Sequence, residues 1–106
     1  MPYPAAQLLA LVRNIAAPDP RDRELAADQA TDQVSGYSLA DGRVLTGVLS
    51  AAAVCETDPA ALEAQLNAII QLGSLAEPEM VAPLMALDVE TLPGELGDYV
   101  RDILEG

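Results

Sequence analysis

Acidic side chains recur at one-turn spacing in the segment 20–35. Glu24, Asp28 and Asp32 stand four residues apart, so on a helix they form one ridge of carboxylates. Carboxylates accept charge-assisted hydrogen bonds from Arg and Lys, and the ridge therefore indicates a surface for a basic partner. The alternative is a solvated helix face, because repulsion at this spacing costs only roughly a few tenths of a kcal/mol per pair.

The remaining acid is concentrated near the C-terminal end. Residues 77–106 hold eight acids and one Arg, which gives −7 of the total charge of −12. Dense charge of one sign would speed encounter with a cationic partner. A terminal repeat that needs a polar outer surface would explain the same pattern. The candidate partner-binding residues are Glu24, Asp28, Asp32, Tyr37, Glu63, Glu95, Asp98 and Asp102.

Tyr37 belongs to this set because it follows the turn at Gly36 and because Tyr is enriched at binding hot spots. The alternative is a ring folded over the end of a helical hairpin.

The residues that usually carry catalysis are scarce. The chain has no His and no Lys, so the commonest general base and the usual amine nucleophile are missing. Cys55 falls on the apolar face of a predicted helix, where we expect a buried and inert thiol. Zinc lacks its usual ligands, and residues 19–24 have neither the spacing nor the Gly of a calcium loop. The sequence predicts a protein that is not an enzyme and has no metal and no cofactor.

Net charge and hydropathy limit the classes of partner and the cellular compartment that the sequence favours. A net charge of −12 argues against binding nucleic acid or an anionic membrane, both of which need basic patches, and favours a basic protein. The N-terminal residues lack the pattern of a signal peptide, and no apolar run approaches the ~18 residues of a membrane span. We therefore expect a cytoplasmic protein that is monomeric when free.

Apolar spacing and turn signals predict six helices in one domain, residues 1–106. The first five cover about residues 4–17, 20–35, 39–56, 59–72 and 78–87, and the sixth opens at 91–93. Asp19 and Asp58, each followed by Pro, are the predicted N-caps of helices two and four, and Ser38 begins a capping box. The predicted core face of helix three consists of Val44, Leu45, Val48, Leu49, Ala52 and Cys55. Helix two is predicted to bury Leu25, Ala26, Ala30 and Val34. Ile70 of helix four and Tyr99 of helix six are also predicted core residues, Tyr99 with its hydroxyl in water.

Helix pairs begin about every 34 to 39 residues, three times, as in helical-repeat proteins. The predicted fold is all-α, with three stacked helical hairpins in a short right-handed solenoid.

Two segments resemble HEAT repeats. Residues 19–27, Asp-Pro-Arg-Asp-Arg-Glu-Leu-Ala-Ala, are similar to the start of a HEAT second helix, and residues 58–64, Asp-Pro-Ala-Ala-Leu-Glu-Ala, look like a second copy. Residues 81–88 are similar to the proline-kinked first helix of the same repeat, whereas the third copy, at 92–94, lacks the Asp. The resemblance implies that helices two, four and six line the concave face.

Small acidic HEAT-like proteins also resemble bacterial immunity proteins, which neutralise a toxin by binding it. That resemblance implies an acidic surface covering the active site of a basic toxin domain such as a nuclease. A regulatory or scaffolding adaptor, which binds through apolar edges, and a DNA-mimic inhibitor are the alternatives.

Overall fold

The computed structural model describes residues 3–73 and 77–105. Within these ranges the chain forms six α-helices and no strand. The helices are α1 (Ala5–Ile15), α2 (Pro20–Asp32), α3 (Leu39–Cys55), α4 (Pro59–Gln71), α5 (Pro78–Val81) and α6 (Leu96–Glu105). Short 3-10 helices are formed by Val34–Gly36, Ala82–Ala86 and Val89–Thr91.

Side chains cap the three central helices at the predicted positions. The carboxylates of Asp19 and Asp58 each accept a backbone N–H at 2.9 Å in the first turn of α2 and α4, and a Pro occupies the first helical position in both. Ser38 and Asp41 exchange two hydrogen bonds of 3.1 Å, which complete a capping box on α3. These three predicted starts are confirmed.

The predicted fifth helix is wrong in its length. Instead of one helix over 78–87, α5 ends at Val81 and the chain continues as the 3-10 helix Ala82–Ala86. Pro83 explains the change, because it has no N–H to donate to the carbonyl one turn earlier and its ring crowds that turn.

The sixth helix begins later than the sequence predicts. The 3-10 helix Val89–Thr91 comes first, Gly94 takes a φ of 57°, and α6 starts at Leu96. Gly97 allows the two elements to touch, since a Cβ at this position would lie 2.7 Å from the carbonyl oxygen of Val89.

The core lies around α4, which packs against α2, α3 and α6. α1 contacts α2 and α3, and α3 also contacts α5 and the 3-10 helix after it. The extents of 41 × 29 × 18 Å fit two layers of helices. Successive first helices and successive second helices are thus neighbours, which is compatible with stacked hairpins.

The core face of α3 is turned relative to the predicted one but overlaps it. Leu45 and Leu49 are buried, and Val48 and Ala52 pack against the core, as predicted. The buried residues of α3 are Gly42, Leu45, Thr46, Leu49, Ser50 and Ala53. Small and weakly polar side chains lie inside because they permit close helix packing, and the Thr46 hydroxyl is satisfied by the carbonyl oxygen of Gly42 at 2.7 Å. Val44 is left exposed as a result.

The same rotation overturns the prediction for Cys55, whose side chain is exposed at the last turn of α3. Leu25, expected inside, is 61% exposed, whereas Ala26 and Ala30 are buried as expected, together with Ala27. Ile70 of α4 is also exposed, while Ile69 takes the core position.

Candidate functional site

A buried ion pair fixes the relative positions of α2, α3 and α4. The guanidinium of Arg23 donates to both carboxylate oxygens of Glu56, with Nε–Oε1 2.7 Å and Nη2–Oε2 2.8 Å. Its third nitrogen donates to the carbonyl oxygens of Ala17 and Pro18. Because Arg23 lies in the first turn of α2 and Glu56 ends α3 three residues before α4 begins, the pair holds the starts of α2 and α4 side by side.

The Glu56 carboxylate is almost fully enclosed, with 1% of its side chain exposed. Besides Arg23, it accepts the side-chain amide of Gln65 at 2.8 Å and the two backbone N–H groups that follow it. These donors favour the charged form, with Arg23 contributing most, and they lower the pKa of Glu56 from 4.5 to about 2.

An acidic groove of about 370 Å³ runs between α2, α4 and α6. Glu24 and Asp28 form its α2 wall, Glu63 stands on the α4 floor, and Tyr99 of α6 forms the opposite wall. Three of the predicted partner-binding carboxylates, separated by up to 39 positions in sequence, therefore converge on one concavity. The floor is completed by Ala60, Ala64 and Asn67.

Two more predicted residues border this groove along α6. The N–H of Tyr99 donates to the carbonyl oxygen of Glu95 at 3.2 Å, so helical geometry extends back to Glu95. Glu95, Tyr99 and Asp102 are then spaced i, i+4 and i+7, which puts them on one face of α6. Tyr99 lines the groove, and the two carboxylates lie next to it, one turn away on either side.

The arginines neutralise carboxylates outside this groove. Among the described residues, the ion pairs join Arg23 to Glu56, Arg43 to Glu77, and Arg101 to both Glu90 and Asp98. In this part of the chain no Arg lies within 4.0 Å of the Glu24, Asp28 or Glu63 carboxylates. The groove carboxylates are therefore not paired with an Arg in the part of the chain that the structure describes.

The remaining predicted residues lie elsewhere or are already engaged. Asp98 is exposed but pairs with Arg101 at 3.1 Å, and Asp32 is exposed at the end of α2, outside the groove lining. Tyr37 is buried: its ring packs edge-on against Tyr3 with centroids 5.0 Å apart, and its hydroxyl donates to the carbonyl oxygen of Ala30 at 3.2 Å. The structure thus fits a ring folded over the hairpin end rather than an interface anchor, and burial raises the pKa of Tyr37 to about 12.

A second, apolar groove of about 530 Å³ lies between α4, α5 and α6. It is lined by Ile70 of α4, by Met85, and by Ile103 and Leu104 of α6, with Asp102 among its lining residues. Ile70, Met85 and Leu104 are three of the large apolar side chains that are exposed in the described structure, and Met85 is 74% exposed.

Some groove residues were not predicted from the sequence. The sequence predicts that Tyr99 is a core residue with a solvent-exposed hydroxyl, and that Ile70 is buried. A signal was present in α4, where Ala60, Glu63, Asn67 and Ile70 recur at i, i+3, i+7 and i+10 among otherwise buried positions. That spacing marks the one stripe of this helix that faces solvent.

In residues 3–73 and 77–105, no three potential metal ligands come close enough to share an ion. None of the helices described has the combined length and hydropathy of a bilayer span. Comparisons with protein-family models, with curated proteins and with solved structures found no match to this chain.

Proposed function

We propose that this chain is a protein-binding module, specifically an immunity protein of the bacterial cytoplasm that neutralises a basic toxin domain, such as a nuclease. The observation that carries the proposal is the acidic groove, where Glu24, Asp28 and Glu63 meet without an Arg partner among the described residues. Separate carboxylates at the walls and floor of one concavity suit several cationic side chains of a partner.

Electrostatics supports a basic partner over a neutral one. Five arginines are available, and three of them neutralise carboxylates outside the groove. Like charges gathered in a concavity repel one another, so the groove is disfavoured in the free protein and favoured once cations enter it. Complementary charge of this kind raises the association rate and fixes the register of the complex.

The proposed fold behind this surface is a short HEAT-like solenoid of three hairpins. Its support is the parallel course of the second helices. Arg23 and Glu56 hold the starts of α2 and α4 together. Tyr99 of α6 lies across from the first half of α4, while Ile103 lies across from its end. Parallel neighbours of this kind arise when successive hairpins stack with the same orientation.

A regulatory or scaffolding adaptor is the second candidate, favoured by the apolar groove beside α6. Ile70, Met85 and Leu104 expose apolar surface that an adaptor would cover. In that case binding would depend on these side chains and would change little with salt.

The two functions are separated by capture of partners from cells of the source organism. The bait is the wild-type chain at low salt, compared with a groove variant carrying Glu24→Gln, Asp28→Asn and Glu63→Gln. A control variant with Asp22→Asn, Glu79→Gln and Glu105→Gln removes the same charge from exposed positions outside the groove lining.

We expect the wild type and the control to retain a basic protein whose toxic activity the wild type suppresses in a purified system. The groove variant should bind it about 100-fold more weakly, because three charge-assisted contacts are lost. Equal retention by the groove variant, or a captured partner without basic surface or toxic activity, would contradict the proposed function.

A further inference from the structure

The acidic and apolar grooves follow one another along α4 and α6, and we call the two together the channel. Asn67 lines the acidic part and Ile70, one turn further along α4, lines the apolar part. On α6, Tyr99 lines the first part and Asp102 and Ile103 line the second. Residues of α4 and α6 therefore line both grooves, and they do so in the same order along the two helices.

We propose that this channel binds an amphipathic cationic helix of the partner protein, whose basic residues enter the acidic part and whose apolar residues enter the apolar part. The inference rests on the proposed function and adds the structural class of the bound segment.

Charge complementarity decides between the possible occupants. A second copy of this chain would bring another charge of −12 onto a surface that is itself acidic, and the copies would repel one another. A purely apolar segment would bury Asp102 at the groove edge without a counter-charge. A helix with cationic and apolar residues on one face satisfies both parts of the channel.

The geometry of α4 predicts how far apart the contacting residues of the partner helix are. Glu63 and Ile70 are seven residues apart, which is about 10.5 Å along a helix axis. A partner helix lying along α4 rises by the same amount per residue. It therefore needs an Arg or Lys and a large apolar residue at i and i+7, on the same face. When a helix binds in a groove in this way, its contacting side chains recur at such spacings.

A designed peptide tests the inference without knowledge of the native partner. The probe is a helical peptide of about 18 residues with Arg and Leu or Met at i and i+7 on one face. The reference peptide has the same composition with these residues rearranged, so that charge is kept and the spacing is lost. Binding is measured by calorimetry, and the site is mapped by heteronuclear NMR of the whole chain.

Two matched pairs of variants assign the contacts. Ile70→Ser with Met85→Ser removes exposed apolar side chains from the channel, and Leu9→Ser with Leu25→Ser removes exposed apolar side chains that line neither groove. We expect the probe to bind about tenfold more tightly than the reference peptide. The first double variant, the channel pair, should bind the probe about tenfold more weakly than the wild type. The second, the outside pair, should bind it as tightly as the wild type.

The outcomes distinguish this inference from the proposed function. If Glu24→Gln, Asp28→Asn and Glu63→Gln abolish binding while the channel pair has no effect, the helix inference fails and the basic partner stands. If neither peptide shifts the resonances of residues lining the channel, the helix inference also fails, and capture of the native partner decides the function. Self-association that the channel pair removes would instead assign the apolar groove to a second copy.

Discussion

Arg23 of α2 and Glu56, at the end of α3, form a bidentate ion pair. The side chain of Arg23 is 19% exposed and that of Glu56 is 1% exposed. This pair holds the starts of α2 and α4 together, and therefore places Glu24 on the wall of the acidic groove next to Glu63 on its floor. The binding surface thus depends on a structural contact that lies outside it.

Replacing Glu56 by Gln should destabilise the fold more than the loss of an exposed ion pair does, because it leaves the Arg23 guanidinium without its counter-charge. Glu90→Gln is the matched control, since Glu90 pairs with Arg101 in a position that is 81% exposed. Exposed pairs contribute about 0–1 kcal/mol. Chemical denaturation of the three proteins measures both effects, and equal losses for the two variants would contradict the role assigned to Glu56.

The Glu56 carboxylate also predicts a pH dependence. Its pKa in the folded chain is lowered from 4.5 to about 2, so its contribution to stability is complete above pH 4.5 and is lost as the pH falls towards 2. The difference in unfolding free energy between wild type and Glu56→Gln should therefore be constant near neutrality and shrink through this window. A difference that stays constant down to pH 2 would show that the carboxylate is not stabilised in this way.

Gly97→Ala should destabilise the chain by about 1–3 kcal/mol, because its Cβ would lie 2.7 Å from the carbonyl oxygen of Val89 and force α6 away from the preceding 3-10 helix. Gly47→Ala, within α3, is the control. Its Cβ would meet only the Met80 sulfur at 3.7 Å, so the better helix propensity of Ala should stabilise the chain by about 0.5–1 kcal/mol. Thermal unfolding checks this prediction: the melting temperature should fall for Gly97→Ala and rise for Gly47→Ala.

The thiol of Cys55 should react with an aromatic disulfide reagent in the folded protein, because its side chain is exposed at the last turn of α3. The rate should change little when denaturant is added. A thiol that reacts only after unfolding would contradict this exposure and support the buried Cys55 that the sequence predicts.

The sequence predicts helix starts better than helix faces. Asp19, Ser38 and Asp58 identify three starts because capping is a local contact between neighbours in the chain. The buried face of α3 depends instead on the helices that pack against it, and there Thr46 and Ser50 are buried while Val44 is exposed.

Local spacing also explains how much of the groove could be predicted. Glu24 and Asp28 share a ridge by sequence alone, and the hairpin stacking predicts that Glu63 joins them. Tyr99 was missed as a groove residue because its apolar neighbours, Leu96 and Ile103, make the whole stripe look buried.

Repulsion within the acidic groove predicts a conflict between stability and binding. Asp28→Asn with Glu63→Gln should raise the free energy of unfolding by roughly a few tenths of a kcal/mol at low salt, since like charges are removed, and the gain should vanish at high salt. The same variant should bind the basic partner more weakly. A gain in stability with unchanged binding would show that the carboxylates serve solubility alone.

The measurement that tests the central claim most directly is the association rate of the captured partner with the wild type and with the Glu24→Gln, Asp28→Asn, Glu63→Gln variant, over a range of salt concentrations. The wild-type rate should fall steeply as salt rises, whereas the variant should be slow at low salt and nearly insensitive to salt. Identical rates and salt dependence for the two proteins would contradict the claim that the acidic groove binds a basic partner.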